Sequence, residues 1–263
     1  MLSYWQDWTT ADFAAVDRAR DVALMPVAAI EQHGPHLPVS VDADLNAGVI
    51  AAAAAHLEGA GFRTVVLPML AIGKSNEHAA FPGTLSIGAE TLLRLWLDVA
   101  ESVIRSGFAK LLMLNSHGGQ PQLVEVAVRE LRVRHGILAV SASSYGFGLP
   151  DGLFDAEERR HGIHAGAIET SMMLHLHGHR VRHAEIADFP SAGAAIERDY
   201  AELRLEGPVG IGWMTQDVNP SGAVGNATLA TAEAGAACLD HAASALARLL
   251  ADISRYPLPE ARP

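Results

Sequence analysis

Four short apolar runs punctuate the chain: VALMPVAAI (22–30), RTVVLPML (63–70), KLLMLN (110–115) and GILAVSASS (136–144). They are continuous rather than alternating in polarity, as strands buried on both faces require. Between them, segments 45–61, 89–107 and 121–136 carry apolar residues at helical spacing. Gly59 and Gly107 stop the first two and Pro121 opens the third, in keeping with helix punctuation. The pattern predicts β-α-β-α-β-α-β. Parallel strands need crossovers, normally right-handed helices, so the expected class is α/β, a three-layer αβα sandwich around a mainly parallel sheet. Segments 165–178 and 228–253 read as further helices, whereas 184–224 is loop-rich. No repeat, low-complexity linker or charge run divides the chain, so one domain over residues 1–263 is expected.

In such a sheet, ligands bind outside the carboxyl ends of the strands. Functional residues should therefore follow the strands. Two stretches pass this filter: IEQHGPHLPVSVDAD (30–44) after the first strand and NSHGG (115–119) after the third.

Composition narrows the partners. With 49% apolar and 19% charged residues, the chain has the make-up of a globular protein. A net charge of −11 argues against nucleic acid and against an anionic membrane surface, both of which need clustered Lys and Arg. The start, MLSYWQDWTTADF, lacks the basic and apolar regions of a secretion signal, and no run approaches a membrane span. The single cysteine, Cys238, rules out an internal disulfide and fits a reducing cytoplasm. Its Ala-rich surroundings read as a small buried hydrophobe.

Thirteen histidines stand out in a chain otherwise poor in charge. Residues two apart in an extended segment point to the same side, so Glu31 and His33 can face one crevice. Asp42 or Asp44 can return to it after the HGPHLP turn, and His117 can approach from the neighbouring strand end. His164 and Glu169 in GIHAGAIETS add another imidazole and carboxylate. Histidine mixed with carboxylates, without thiols, suits Zn, Mn or Fe as divalent ions. Counting donors allows two metals if one carboxylate bridges. Asp44, just ahead of a helical pattern, is expected to be an N-cap. Glu169 reads equally well as an early-helix carboxylate favoured by the dipole. Ser116 is a weak nucleophile candidate, because no base and orienting acid accompany it. His56, His135 and His241 read as surface or satisfied residues, and HLHGH (175–179) as a fraying helix end.

Five motifs, in order, carry a resemblance: EQHGPHLPxxxDAD, EHxxFPGT (77–84), NSHGGQ, HAGxIETS and SGAVGNATLATAEAG, spread over residues 31–235. Together they resemble the creatininase family of metal-dependent amidohydrolases. The resemblance implies the αβα fold, two divalent metals per subunit with Zn foremost, and hydrolysis of an amide or formamide C–N bond by a hydroxide held between them. It implies that Glu31 and His33 ligate different metals, that Asp42 bridges them, that His117 completes the first and that His164 shuttles protons. Creatinine-cleaving members carry a glutamate where this chain has Gly119; Glu169 is then the implied replacement. They also carry tryptophans where Gly146 and Arg160 stand here, which points away from a flat creatinine ring as substrate. Other branches act on formamides of pyrimidine intermediates or on peptide bonds of modified-peptide precursors. His36, Ser116, Gly118, Gly119 and Arg160 are candidate substrate contacts, His36 alternatively a support. A small-molecule amide substrate, a cytoplasmic setting and a homo-oligomer, often a hexamer, complete the expectation.

Overall fold

The structure is a computed structural model that describes residues 1–258. Its strands are β1 (Leu2–Tyr4), β2 (Val22–Val27), β3 (Thr64–Val66), β4 (Lys110–Asn115), β5 (Leu138–Ser143), β6 (Asp188–Phe189) and β7 (Gly225–Asn226). Its helices are α1 (Thr10–Ala14), α2 (Val41–His56), α3 (Ala89–Arg105), α4 (Pro121–His135), α5 (Ala156–His161), α6 (Ala167–His177), α7 (Ala192–Asp199), α8 (Thr215–Val218) and α9 (Ala232–Arg255).

The main sheet has the order β1-β3-β2-β4-β5, and every pairing in it is parallel. The four strands expected from the apolar runs are all present. β1 was not anticipated, because a three-residue segment becomes a strand only by pairing with β3. Helices cover both faces. On one, Val22, Leu24, Leu112 and Leu114 pack against residues of α2, α6 and α9. On the other, Ala23, Met25, Val27, Leu111 and Met113 pack against Leu92, Trp96 and Val103 of α3 and Val124 and Leu131 of α4. Odd and even strand residues thus serve two cores, which explains the uninterrupted apolar runs. Contact between α9 and α6 is close enough that a Cβ on Gly235 would lie 1.9 Å from the Ser171 carbonyl oxygen.

Two sequence expectations are corrected here. α2 begins at Val41, four residues before the expected 45, so Asp42 lies in its first turn. Asp44 is therefore inside the helix rather than its N-cap; that place belongs to Ser40. Asp44 instead accepts hydrogen bonds from Ser40 Oγ (2.7 Å) and Arg180 Nη1 (2.9 Å). Cys238 is buried as expected, and burial pushes its thiol up to about 11.

The chain leaves β2 for β3 on one side and later crosses to β4 on the other, so the order reverses between β2 and β4. Such a switch point opens a crevice at the carboxyl ends of the two strands. Asn46 of α2 spans it from below: its amide donates to Val27 O (3.2 Å) and Leu114 O (3.1 Å), satisfying a carbonyl on each diverging strand.

Candidate metal centre

Glu31 and His33 leave the end of β2, and Gly34, at φ +67°, turns the chain back toward α2. Little else fits at position 34: a Cβ there would lie 2.7 Å from Ala223 Cβ. The return places Asp42 in the first turn of α2, where the positive end of the helix dipole favours a carboxylate. From the end of β4, His117 Nδ1 reaches 3.1 Å from Glu31 Oε2 and 3.2 Å from Asp42 Oδ2. The other oxygen of Asp42 lies 3.4 Å from His33 Nε2, and Glu169 Oε2 lies 3.8 Å from the same nitrogen. Among the described residues, three groups bring their donor atoms close enough for one ion: Glu31, Asp42 and His117; His33, His164 and Glu169; and Glu31, His78 and His164. Asp42 links the first two, since its second oxygen faces His33.

The tautomers suit ligation. His33 Nδ1 donates to Glu31 O (3.0 Å), leaving Nε2 bare toward the two carboxylates. His117 Nε2 donates to Lys74 O (2.9 Å), leaving Nδ1 toward Glu31 and Asp42. A hydrogen bond from the far nitrogen that orients a ligating imidazole is what metal sites use. His33 Nε2 and Asp42 Oδ2 are buried and, among the described residues, lack hydrogen-bond partners. Unpartnered buried polar atoms are costly, and a divalent cation beside each would satisfy them. The donor set, oxygen and imidazole nitrogen without sulfur, fits Zn, Mn or Fe.

Without a cation the histidines carry the compensating charge. Burial works against a proton on His33, but the neighbouring carboxylates of Asp42, Glu169 and Glu31 prevail and raise it to about 9. His117 is likewise raised well above its ordinary value against burial, chiefly by Glu31 and Asp42. Burial opposes charge on Asp42 too, yet the facing imidazoles of His117 and His33 hold it well below the usual carboxylate range. Glu169 is pushed up, first by burial and then by Asp42 and Glu31. Its Oε2 accepts the Ala165 N–H (2.6 Å), so it is both a first-turn carboxylate of α6 and a neighbour of His33.

His164 lies against the same cluster. Its ring packs at a tilt against His33 (4.1 Å between centroids) and His78 (4.4 Å). Nε2 donates to Gln32 O (2.7 Å), turning Nδ1 toward Glu31 Oε1 at 3.8 Å. Burial, then the neighbouring histidines, keep His164 well below its ordinary pKa. Its backbone is clamped by a reciprocal pair of hydrogen bonds with Val224 (3.1 and 2.7 Å). The next residue, Ala165, has φ +55°, a left-handed conformation that costs a non-glycine residue about 1 kcal/mol or more.

The 73–78 loop after β3 brings three residues that the sequence reading did not place in the site. Ser75 Oγ donates to Glu31 Oε2. His78 Nε2 lies 3.4 Å from Glu31 Oε1, while its Nδ1 accepts from the Gln32 amide at 2.7 Å and meets Thr215 Oγ1 at 2.9 Å. Glu77 Oε1 lies 3.1 Å from His117 Nε2. The signal was present, since EHxxFPGT follows a strand and passes the strand-end filter.

A creatininase model, described as creatinine amidohydrolase, matches residues 6–250. The chain belongs to the creatininase family. A Mycobacterium ulcerans (strain Agy99) relative named mycofactocin precursor peptide peptidase is 34% identical over 235 residues, covering 86% of this chain and 84% of its own. The creatinine amidohydrolase of Pseudomonas putida is 31% identical over 202 residues, 70% of this chain and 75% of its own. Among solved structures, a creatinine amidohydrolase homologue from Bacteroides fragilis NCTC 9343 aligns with TM-score 0.80 and 27% identity over 98% of both chains. This chain is thus a creatininase-family amidohydrolase, and its αβα layering is the family's.

The candidate substrate contacts divide. Gly118 is exposed at the rim, with open space where a side chain would stand. Gly119 is tight: a Cβ would lie 1.7 Å from Glu77 Oε1. Three others do not face the crevice. His36 has no exposed surface; its Nε2 bonds Thr170 Oγ1 (2.9 Å) and its ring stacks on Phe189, so it supports α6 from within. Ser116 is tied below the site, with Oγ accepting from Asn46 (3.3 Å) and directed at Val27 O (3.5 Å). Arg160 is an outer residue whose guanidinium is held by Glu197, with Nε to Oε1 at 2.8 Å.

Proposed function

We propose that this creatininase-family hydrolase uses two divalent metals to cleave an amide bond near the end of a peptide-type substrate. The observation that carries the metal reading is the pair of buried, unpartnered atoms, His33 Nε2 and Asp42 Oδ2, beside a carboxylate, Asp42, that faces His33 with one oxygen and His117 with the other. Glu31, Asp42 and His117 would hold one ion and His33, Asp42 and Glu169 the other, with Zn preferred. When bound, such ions polarise an amide carbonyl and lower the pKa of water, to about 7 in favourable sites.

The chain's own residues supply the rest. His164 has its Nε2 proton committed to Gln32 O and presents a bare Nδ1 inward. That nitrogen faces the donor sets, where it is placed to take a proton from the attacking water and deliver it to the leaving nitrogen. Gly118 leaves the rim open for a substrate that runs across it. The relatives named as peptidases support the peptide reading, as do Gly146 and Arg160 at positions where creatinine-cleaving members carry ring-stacking tryptophans. A homo-oligomer in a reducing cytoplasm belongs to the same proposal.

Elemental analysis combined with a substrate panel tests it. Purified protein should carry about two divalent ions per chain and cut blocked peptides in preference to creatinine and N-formyl amines. Asp42→Asn should lose both metals and activity. Retention of both metals by that variant would overturn the bridging role; preference for the small amides would overturn the peptide reading.

A further inference from the structure

Gly119 and Glu77 come from loops after different strands, yet they compete for one volume. A Cβ built on Gly119 would stand 1.7 Å from Glu77 Oε1 and 2.5 Å from His117 Nε2, distances no side chain tolerates. Gly119 has no left-handed backbone to account for the glycine; the constraint is space. What fills that space is a carboxylate. Glu77 Oε1 is buried, unpartnered by the hydrogen-bond geometry among the described residues, and 3.1 Å from the outward nitrogen of His117. The carboxylate is steered there from behind: Lys74 Nζ lies 3.8 Å from Oε2, and Thr215 Oγ1 donates to the Glu77 carbonyl at 3.0 Å.

We propose that Glu77 is a positioning residue for His117 and that Gly119 is glycine to admit it, the two forming one device that backs the Glu31–Asp42–His117 donor set. His117 has one N–H, on Nε2, which it donates to Lys74 O, and Glu77 Oε1 lies 3.1 Å from the same nitrogen. A carboxylate beside that N–H holds the ring orientation and makes the opposite nitrogen a better donor to a cation. It also ties the 73–78 loop, which carries Ser75 and His78 onto Glu31, to the end of β4. The EHxxFPGT and NSHGG motifs are then one unit: the first supplies the carboxylate, the second leaves room for it.

The inference rests on the two-metal reading, and the test separates them. Metal-stripped protein is titrated with Zn(II) against a chelating indicator in wild type, Glu77→Gln, Glu77→Ala, Gly119→Ala and the Glu77→Ala/Gly119→Ala double variant, with thermal melts confirming folding. Removing the partner of a ligating histidine typically costs 10- to 100-fold in metal affinity. Glu77→Ala should show such a loss in one of two binding steps, the His33 step staying in place, and Glu77→Gln, which keeps an acceptor oxygen, a smaller one. Gly119→Ala should lose at least as much as Glu77→Ala, because its methyl expels the carboxylate and meets His117 Nε2 as well. The double variant should bind no more weakly than Gly119→Ala, since the carboxylate is gone from beside His117 in both. Losses that multiply in the double variant, or wild-type affinity in Glu77→Ala, would overturn the pairing. Wild-type protein that binds no Zn(II) would overturn the functional reading instead. If Gly119→Ala does not fold, Glu77→Ala against wild type decides alone.

Discussion

Metal-free protein should lose stability as the pH is raised from 6.5 to 9.5, and a divalent metal should remove the effect. The cause is His33, whose protonated ring stands in for a cation between Asp42 and Glu169. Its pKa is 6.5 when unfolded and about 9 in the fold. A group raised on folding contributes stability that is fully present below the unfolded value and is lost as pH climbs through the folded one. A rise from 6.5 to about 9 corresponds to about 3 kcal/mol. His117, raised between Glu31 and Asp42, acts in the same direction. For a domain of this size about 1 kcal/mol moves Tm by roughly 2–4 °C, so His33 alone predicts a fall of roughly 6–12 °C. The assay is circular-dichroism melting of chelator-treated, dialysed protein at pH 6.5, 7.5, 8.5 and 9.5, with and without excess Zn(II), on wild type and His33→Asn. With metal in place, the ion replaces the imidazolium and the slope should flatten. A metal-free Tm that stays level or rises with pH would refute the reasoning, as would an equal fall in His33→Asn, which has no such ring to titrate.

Two further predictions lie outside the cluster. Lys110, buried at the start of β4, donates from Nζ to Ile253 O (2.9 Å), Ser254 O (2.5 Å) and Tyr256 O (2.7 Å), closing the carbonyl end of α9; Lys110→Met should cost about 2–3 kcal/mol in urea denaturation, through orphaned carbonyls and a lost dipole partner. His36 is held down at about 4 by burial, so its contribution is present above pH 6.5 and lost as pH falls toward 4; His36→Asn should show a flatter acid limb than wild type in stability measured from pH 7 to 4.5.

How far the sequence could be read follows from what positions each residue. β2 and β4 were legible because strands buried on both faces are uniformly apolar, and their ends fixed where Glu31, His33 and His117 lie. The start of α2 was not, because PVSVDAD looks like loop until the turn at Gly34 delivers it to the helix; that cost the position of Asp44 but not of Asp42. β1 was illegible for another reason: three residues carry no periodicity, and only the partner β3, some sixty positions away, makes them a strand. The polar loops were hardest. His78 is aimed by Gln32, 46 residues before it, and by Thr215, 137 residues after it, and no local pattern encodes either contact. Glu77 is the sharpest case. As a residue in a loop it reads as a solvated carboxylate, and Gly119 as ordinary loop punctuation. Only when the loops after β3 and β4 meet across the end of β2 does the missing side chain at 119 become the space that Glu77 occupies. A glycine whose backbone angles do not require it is thus a question about its neighbour, and here the neighbour is a buried carboxylate aimed at a histidine of the proposed metal site.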